Sequence, residues 1–490
     1  MIDEAPRPRL TFTALLFAAV AVMHLLPIWR VHFVPTIDGP SHLYNAAVLH
    51  QLDQPAFSRV FTADLRPHPN WLSHLFLWLA LFVVPPVIAE KLLFSVIILL
   101  FLGGAWLLAG AVDRERRVFA FLAMPLAFHM LLQMGFYNYS LGAALVPFAV
   151  HSWWRRRASS ARRDVAMNAV WLLLVYFAHI VPALIACLAA FAIFVVSRVW
   201  RQLIAFVPVA LLVAWFVLQP SHPGGDWTWN GALLFQPLVN TALMFTFDVR
   251  QLTFGAIYAA VLAVCIVATL AQRRLRVRAD DVFLLLTIAG IALYLAAPLS
   301  AQEGLVLKAR LLLFPYLFVL PWLSIPRGRF GAALAIIFAI IATANVFYLR
   351  DRWKENAKPL DAMLAPLRAA RPLHTFVPLV FDRSAAHSPL PLAGHTISYA
   401  AIEKHLVDLA DYEAALGFFP VAYRPDVQRP AVIDVETHPG DYEPNAFAGA
   451  VDYIYTWKMP AGAPLEARLA ERYVLVTSTG DARLYARKGL

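Results

Sequence analysis

Apolar runs approaching the roughly 20 residues that cross a bilayer as a helix recur from residue 10 to about residue 349, and then the pattern changes. The runs are Leu10–Ile28, Trp71–Ile88, Leu92–Val112, Val118–Leu132, Leu141–Trp154, Val165–Ala178, Pro182–Val196, Leu203–Leu218, Leu252–Ala271, Val282–Ala297, Leu311–Ile325 and Phe330–Leu349. They predict a polytopic α-helical membrane module over residues 1–349. From Arg350 to Leu490, short apolar stretches (Thr375–Phe381, Val451–Trp457, Tyr473–Thr477) alternate with helical patterns such as Leu465–Arg472. That alternation predicts a small soluble α/β domain. Its acidic residues are scattered and it carries no glycine-rich phosphate loop, so the expectation for it is an accessory role without a catalytic constellation.

The polar connections orient the spans. Arginine gathers in 113–117, in the five arginines between Arg155 and Arg163, in 198–201, in 273–278 and at Arg327 and Arg329, as cytoplasmic loops do. The alternate loops 130–140, 178–182, 219–250 and 298–310 are poor in basic residues and rich in His, Tyr, Trp, Asn and Pro, which places them on the opposite face. Counting crossings back from 113–117 puts the long first loop, 30–70, outside only if one early run does not cross. Trp71–Ile88, with Ser73, His74 and the closing Pro85-Pro86, is that run. About eleven crossings then leave the amino terminus cytoplasmic and the segment 350–490 external.

Composition agrees with a membrane protein: 60% of the 490 residues are hydrophobic and 15% charged, against about 25% charged in soluble domains, and mean hydropathy is +0.63. The net charge of +10 lies in the arginine loops, so it reads as a topology signal and not as a nucleic-acid surface. Cys187 and Cys265 stand far apart in apolar runs, which excludes a CxxC motif or a disulfide framework. The first run ends in bulky residues, His24 to Trp29, where a signal peptidase needs small ones; an uncleaved first span is expected.

Candidate chemistry concentrates in the loops on the basic-poor face. The sequence Ile37-Asp38-Gly39-Pro40-Ser41-His42-Leu43-Tyr44 follows the first span, and an amphipathic helix is predicted from about Ser41. Asp38 either caps that helix or presents a carboxylate as a base or metal ligand at the membrane surface. Lys308 and Arg310 stand at the external entrance of the run beginning at Leu311, as snorkelling anchors or as cations for an anionic group; Arg250 is a third such cation. His42, Tyr137, Asn138, His179 and His222 are candidate substrate contacts, and Asp226, in a Trp-rich turn, is a candidate second carboxylate.

The long first loop with Asp38 soon after the first span, the many further spans and the external carboxyl-terminal domain resemble the GT-C superfamily of multi-spanning glycosyltransferases. At residue level the resemblance rests on Asp38 and the residues around it. It implies transfer of a sugar from a polyprenyl-phosphate donor to an extracytoplasmic acceptor, a lipid, glycan or protein, with Asp38 as general base and Lys308, Arg310 and Arg250 on the donor phosphate. The place would be the cell envelope, in a bacterial inner membrane and in contact with its lipids. Many members carry a second acidic residue beside the first or in the next external loop. Here Gly39 follows Asp38 and loop 133–140 has no carboxylate, so the sequence names no cofactor and leaves a divalent metal open.

One carboxylate suits that chemistry. A glycosidase needs a second to protonate a poor leaving group, whereas a polyprenyl phosphate leaves as a stable anion that needs cations instead. Two other classes stay in view, a transporter or flippase of a lipid-linked or anionic substrate and a non-catalytic envelope assembly factor. Transporters usually bury ionisable groups within broken spans, while here they cluster in loops.

Overall fold

The computed structural model describes residues 12–219, 244, 250–273, 276–299, 306–324, 329–385 and 388–490. Among the described residues, fifteen α-helices carry the first three-quarters of the chain. They are α1 (Phe12–Met23), α2 (Leu26–Trp29), α3 (Gly39–His50), α4 (Pro55–Ser58), α5 (Leu72–Ala80), α6 (Pro86–Ala109), α7 (Met130–Gln133), α8 (Tyr137–Arg156), α9 (Arg162–Ala178), α10 (Ile180–Ser197), α11 (Val207–Val217), α12 (Arg250–Arg273), α13 (Asp281–Ala296), α14 (Leu307–Phe318) and α15 (Arg329–Ala357). Among the described residues, six stretches are long and apolar enough to span a bilayer: Phe12–Trp29, Pro86–Ala109, Ile180–Ser197, Trp200–Val217, Arg250–Arg273 and Gly331–Ala369. The protein is an integral membrane protein.

Helix faces show what surrounds them. Along α10, Leu184, Leu188, Phe191 and Val195 are exposed, while Ala183, Ala186, Ala190 and Ile193 are buried. The exposed residues recur every three or four positions, so one apolar stripe faces outward, a pattern stable only where lipid is the solvent. At the centre, α8 packs against α6, α9 and α10 and buries nearly its whole length.

Two runs differ from continuous membrane helices. Trp71–Ile88 holds only α5, nine residues or about 14 Å of helix, followed by a turn and then α6. It is too short to cross. Val118–Leu132 is mostly two successive 3-10 helices, Arg114–Ala123 and Pro125–Phe128, then the start of α7, and almost every side chain in it is buried. A 3-10 helix rises about 2.0 Å per residue against about 1.5 Å in an α-helix, so the segment is longer than an α-helix of the same number of residues. Such a segment is tolerated at membrane depth because it is enclosed by protein.

The two classes of loop separate to opposite ends. At one, Arg116 bonds Asp280 (2.8 Å) and the Pro321 carbonyl (2.6 Å), while Arg273 pairs with Asp280 and Asp281 (2.5 Å each). At the other lie the turns around Asp38, Gly135, His179 and Arg310.

The carboxyl-terminal sheet has the order β3-β2-β5-β7-β6, from β2 (Thr375–Val380), β3 (Val407–Asp408), β5 (Tyr453–Trp457), β6 (Tyr473–Thr479) and β7 (Ala482–Arg487). β2 runs parallel to β3 and β5, and β7 is antiparallel to β5 and β6. The expected helix is present as Pro464–Arg472, so the α/β reading of this segment holds. The sheet region is joined to the long loop 30–70: β1 (Phe61–Ala63) pairs with β4 (Val421–Tyr423), and the Tyr44 hydroxyl donates to the Leu406 carbonyl (2.9 Å). Consequently α3 is not an amphipathic surface helix. Every residue from Gly39 to Val48 is buried, because α5 covers one side and the carboxyl-terminal segment another.

Candidate functional site

Asp38 stands at the N-cap position of α3, yet its side chain accepts no bond from the helix. Pro40 takes one of the first-turn donors away. The backbone is held instead: the Asp38 N–H donates to the Met134 carbonyl (2.9 Å), and its own carbonyl accepts from the His42 N–H (3.0 Å). The carboxylate, 16% exposed, faces His395 Nε2 at 3.4 Å. Burial pushes its pKa up to about 6; His395 and His42 oppose that rise, and Glu413 and Glu436 add to it.

Two glycines make this approach possible. Gly135 has φ +89°, and a Cβ there would overlap the Gly39 nitrogen and lie 2.8 Å from the Asp38 nitrogen. A Cβ on Gly39 would strike the Tyr137 hydroxyl and Thr36 Oγ1. The absence of a second acidic residue beside Asp38 thus has a steric reason: Tyr137 occupies that space.

Arg310 lies on the other side of the Gly135–Phe136 turn. Its guanidinium stacks on the Phe136 ring (5.0 Å) and reaches the Tyr139 ring (6.0 Å), within Coulombic reach of Asp38. Among the described residues it has no carboxylate at ion-pair distance, and its buried Nε has no partner. Its Nη1 lies 3.0 Å from His179 Nε2, while His179 Nδ1 accepts the Val181 N–H (3.1 Å) to cap α10. A neutral imidazole has one lone pair and cannot accept at both nitrogens. His179 can therefore satisfy the Val181 N–H or one guanidinium N–H, and not both.

The other expected residues are distributed as follows. His42 is buried and places Nδ1 2.6 Å from Glu413 Oε1. The Tyr137 hydroxyl donates to Glu90 Oε1 (2.6 Å) inside the bundle. Asn138 accepts the Ser73 N–H (3.0 Å) and meets His74 Nδ1 (3.1 Å), supporting α5. Lys308 Nζ donates to the Leu295 carbonyl (3.3 Å) over the Tyr294 ring, so the structure does not bring it to Arg310; residues two apart on a helix point to different sides. Arg250 is exposed at the start of α12. His222 and Asp226 lie outside the described residues.

The carboxyl-terminal segment enters the site, which its sequence did not lead us to expect. Glu413 is fully buried, with Oε2 2.7 Å from His74 Nε2. Burial alone would raise its pKa, but the two imidazoles outweigh that and hold it down to about 2. Asp411 accepts from Asn45 Nδ2 (3.0 and 3.1 Å) and the Ser41 hydroxyl (3.3 Å), and its carboxyl is pushed well up by burial. Glu90, in α6, accepts from Tyr137 and from the Tyr399 hydroxyl (2.6 Å), and Lys91 donates to the Val31 carbonyl (2.6 Å). That adjacent charged pair before Leu92 was a legible signal, since ionisable residues at membrane depth are rare and functional. His395, Asp411 and Glu413 had no local signature. His42, His74 and Glu413 present ligand atoms within 4.8 Å of one another, the group among the described residues able to hold a metal.

No family model and no curated protein matches the sequence. Among solved structures, the crystal structure of ArnT from Cupriavidus metallidurans bound to undecaprenyl phosphate aligns over 96% of this chain and 97% of its own, at TM-score 0.53 and 13% identity. The apo state of the same protein gives TM-score 0.51 with the same identity and coverage. The chain has a GT-C fold. The arabinofuranosyltransferase AftD from Mycobacteria also aligns, over 96% of this chain and 41% of its own, with TM-score 0.49 and 16% identity. Within the GT-C fold the long loop 30–70 and the carboxyl-terminal segment form one structure here, and Asp38 lies where they meet.

Proposed function

We propose that the protein is a membrane glycosyltransferase that moves a sugar from a polyprenyl-phosphate donor to an acceptor on the non-cytoplasmic side of a bacterial inner membrane, with segment 350–490 on that same side. The observation that carries the reading is a carboxylate that caps no helix and a guanidinium with no ion pair among the described residues, on either side of the Gly135–Phe136 turn. In the reaction the acceptor hydroxyl oxygen bonds to the anomeric carbon as Asp38 takes its proton. The bond from that carbon to the phosphate oxygen breaks, and the phosphate leaves with the electron pair. Arg310 offers that anion the acceptor-seeking N–H groups that His179 cannot satisfy, a charge-assisted contact in a partly dry site. A carboxyl raised toward neutrality is a stronger base than an ordinary aspartate while still ionised at working pH. The ArnT neighbour binds undecaprenyl phosphate, the class of carrier this reading requires.

The test is transfer from a panel of polyprenyl-phosphate sugars by purified protein in liposomes. Release of polyprenyl phosphate with formation of a glycosylated acceptor supports the reading. Movement of the lipid-linked sugar across the bilayer with no bond broken would favour a flippase instead.

A further inference from the structure

We propose that His42, His74 and Glu413 bind one divalent first-row transition metal, zinc being the cation their donor set suits, and that this metal clasps the carboxyl-terminal segment onto the first external loop. Nothing in the transfer reading requires it, and it is testable without any sugar donor. The three ligands come from separate elements: α3, α5 and the four-residue helix Tyr412–Ala415. Their side chains are 4%, 0% and 0% exposed.

His74 Nε2 and Glu413 Oε2 meet in hydrogen-bond geometry at 2.7 Å, whereas the His42 contact does not. His42 Nδ1 and Glu413 Oε1 lie 2.6 Å apart, yet both atoms lack a partner in hydrogen-bond geometry. Two buried polar atoms so placed share a direction without a proton aligned between them. His74 Nδ1 lies 3.1 Å from the Asn70 carbonyl. Nδ1 also lies 3.1 Å from Asn138 Nδ2; in the tautomer whose Nδ1 proton goes to the Asn70 carbonyl, the Nε2 lone pair faces Glu413, the arrangement by which a second-shell carbonyl orients a metal-binding histidine. The aromatic rings of Phe419, 5.9 Å from His42 and 5.6 Å from His74, and of Tyr137, 5.6 Å from His42, wall the group from water. Two imidazoles and one carboxylate are a set that zinc takes with a fourth position open. Ligand atoms on a tetrahedral zinc stand about 3.4 Å apart for bonds near 2.1 Å, so side-chain shifts below about 1 Å would admit the ion. A buried hydrogen-bonded triad without metal is the competing description.

The experiment uses full-length protein in detergent. Metal content is measured by mass spectrometry as purified and again after chelation and dialysis against zinc, with cobalt(II) as an optical probe. Expected are one metal per chain, visible absorption bands of tetrahedral cobalt displaced by zinc, and both unchanged in His438→Ala, an exposed histidine far along the chain. Glu413→Gln and His74→Gln, recovered as monodisperse protein, should weaken zinc binding at least about a hundredfold, beyond what second-shell losses cost. Wild-type protein that holds no metal in either state and gives no cobalt bands overturns the proposal, as does Glu413→Gln binding zinc as wild type does. Should neither variant fold, the wild-type metal content and cobalt spectrum decide alone.

Discussion

Asp38 is made unusual by what its neighbours withhold. Pro40 removes a helix donor, the turn at Gly135 holds the Asp38 backbone, and burial raises the carboxyl to about 6. Asp38→Asn keeps the shape and cannot take a proton, so transfer should fall by about 10²- to 10⁴-fold, the usual cost of losing a general base, with expression unchanged; turnover at saturating donor measures it. The pH dependence follows from the sign of the shift. A base must be ionised to act, so wild-type rate should rise as pH passes up through about 6 and flatten above it. An Asp38 with the ordinary carboxylate value would instead keep nearly full rate down to about pH 5 and fall to half near pH 4. Gly135→Ala should be recovered in low yield or inactive, since its Cβ would meet the backbone of Gly39 and Asp38; size-exclusion profiles of the fluorescently tagged variant report this directly.

At the scale of elements, α14 separates two cations that are neighbours in sequence. Lys308 turns to a backbone carbonyl of α13, while Arg310 rests on Phe136 with an orphaned Nε. A charge-assisted bond is worth about 1.5 to 3 kcal/mol, so Arg310→Gln should weaken donor handling by about ten- to hundredfold. Arg310→Lys should recover only part of it, because an ammonium cannot reproduce the planar fork. Lys308→Gln should leave the donor titration close to wild type. Equal effects at the two positions would place the phosphate elsewhere.

For the whole molecule, the β1–β4 pairing and the buried contacts of α3 require the first loop and the carboxyl-terminal segment to share one side of the membrane. Cysteines introduced at the exposed positions Arg59 and Ser384, in a chain lacking Cys187 and Cys265, should both react with an impermeant maleimide added from outside; protection of either one would break the proposed orientation. The apolar spans and the α/β character of 350–490 were legible in the sequence, because lipid and strand periodicity act on each segment by itself. Asp38 and Arg310 could be picked out for the same reason, as polar groups at the ends of apolar runs. Which side chains meet them was not legible. His395, Asp411 and Glu413 stand more than 350 residues from Asp38 and carry no local pattern, and Lys308 and Arg310 look equivalent until a helix points them apart. Hydrophobic periodicity fixes what each segment becomes, whereas the partners of a buried carboxylate depend on how segments distant in sequence pack, and only the tertiary structure decides that.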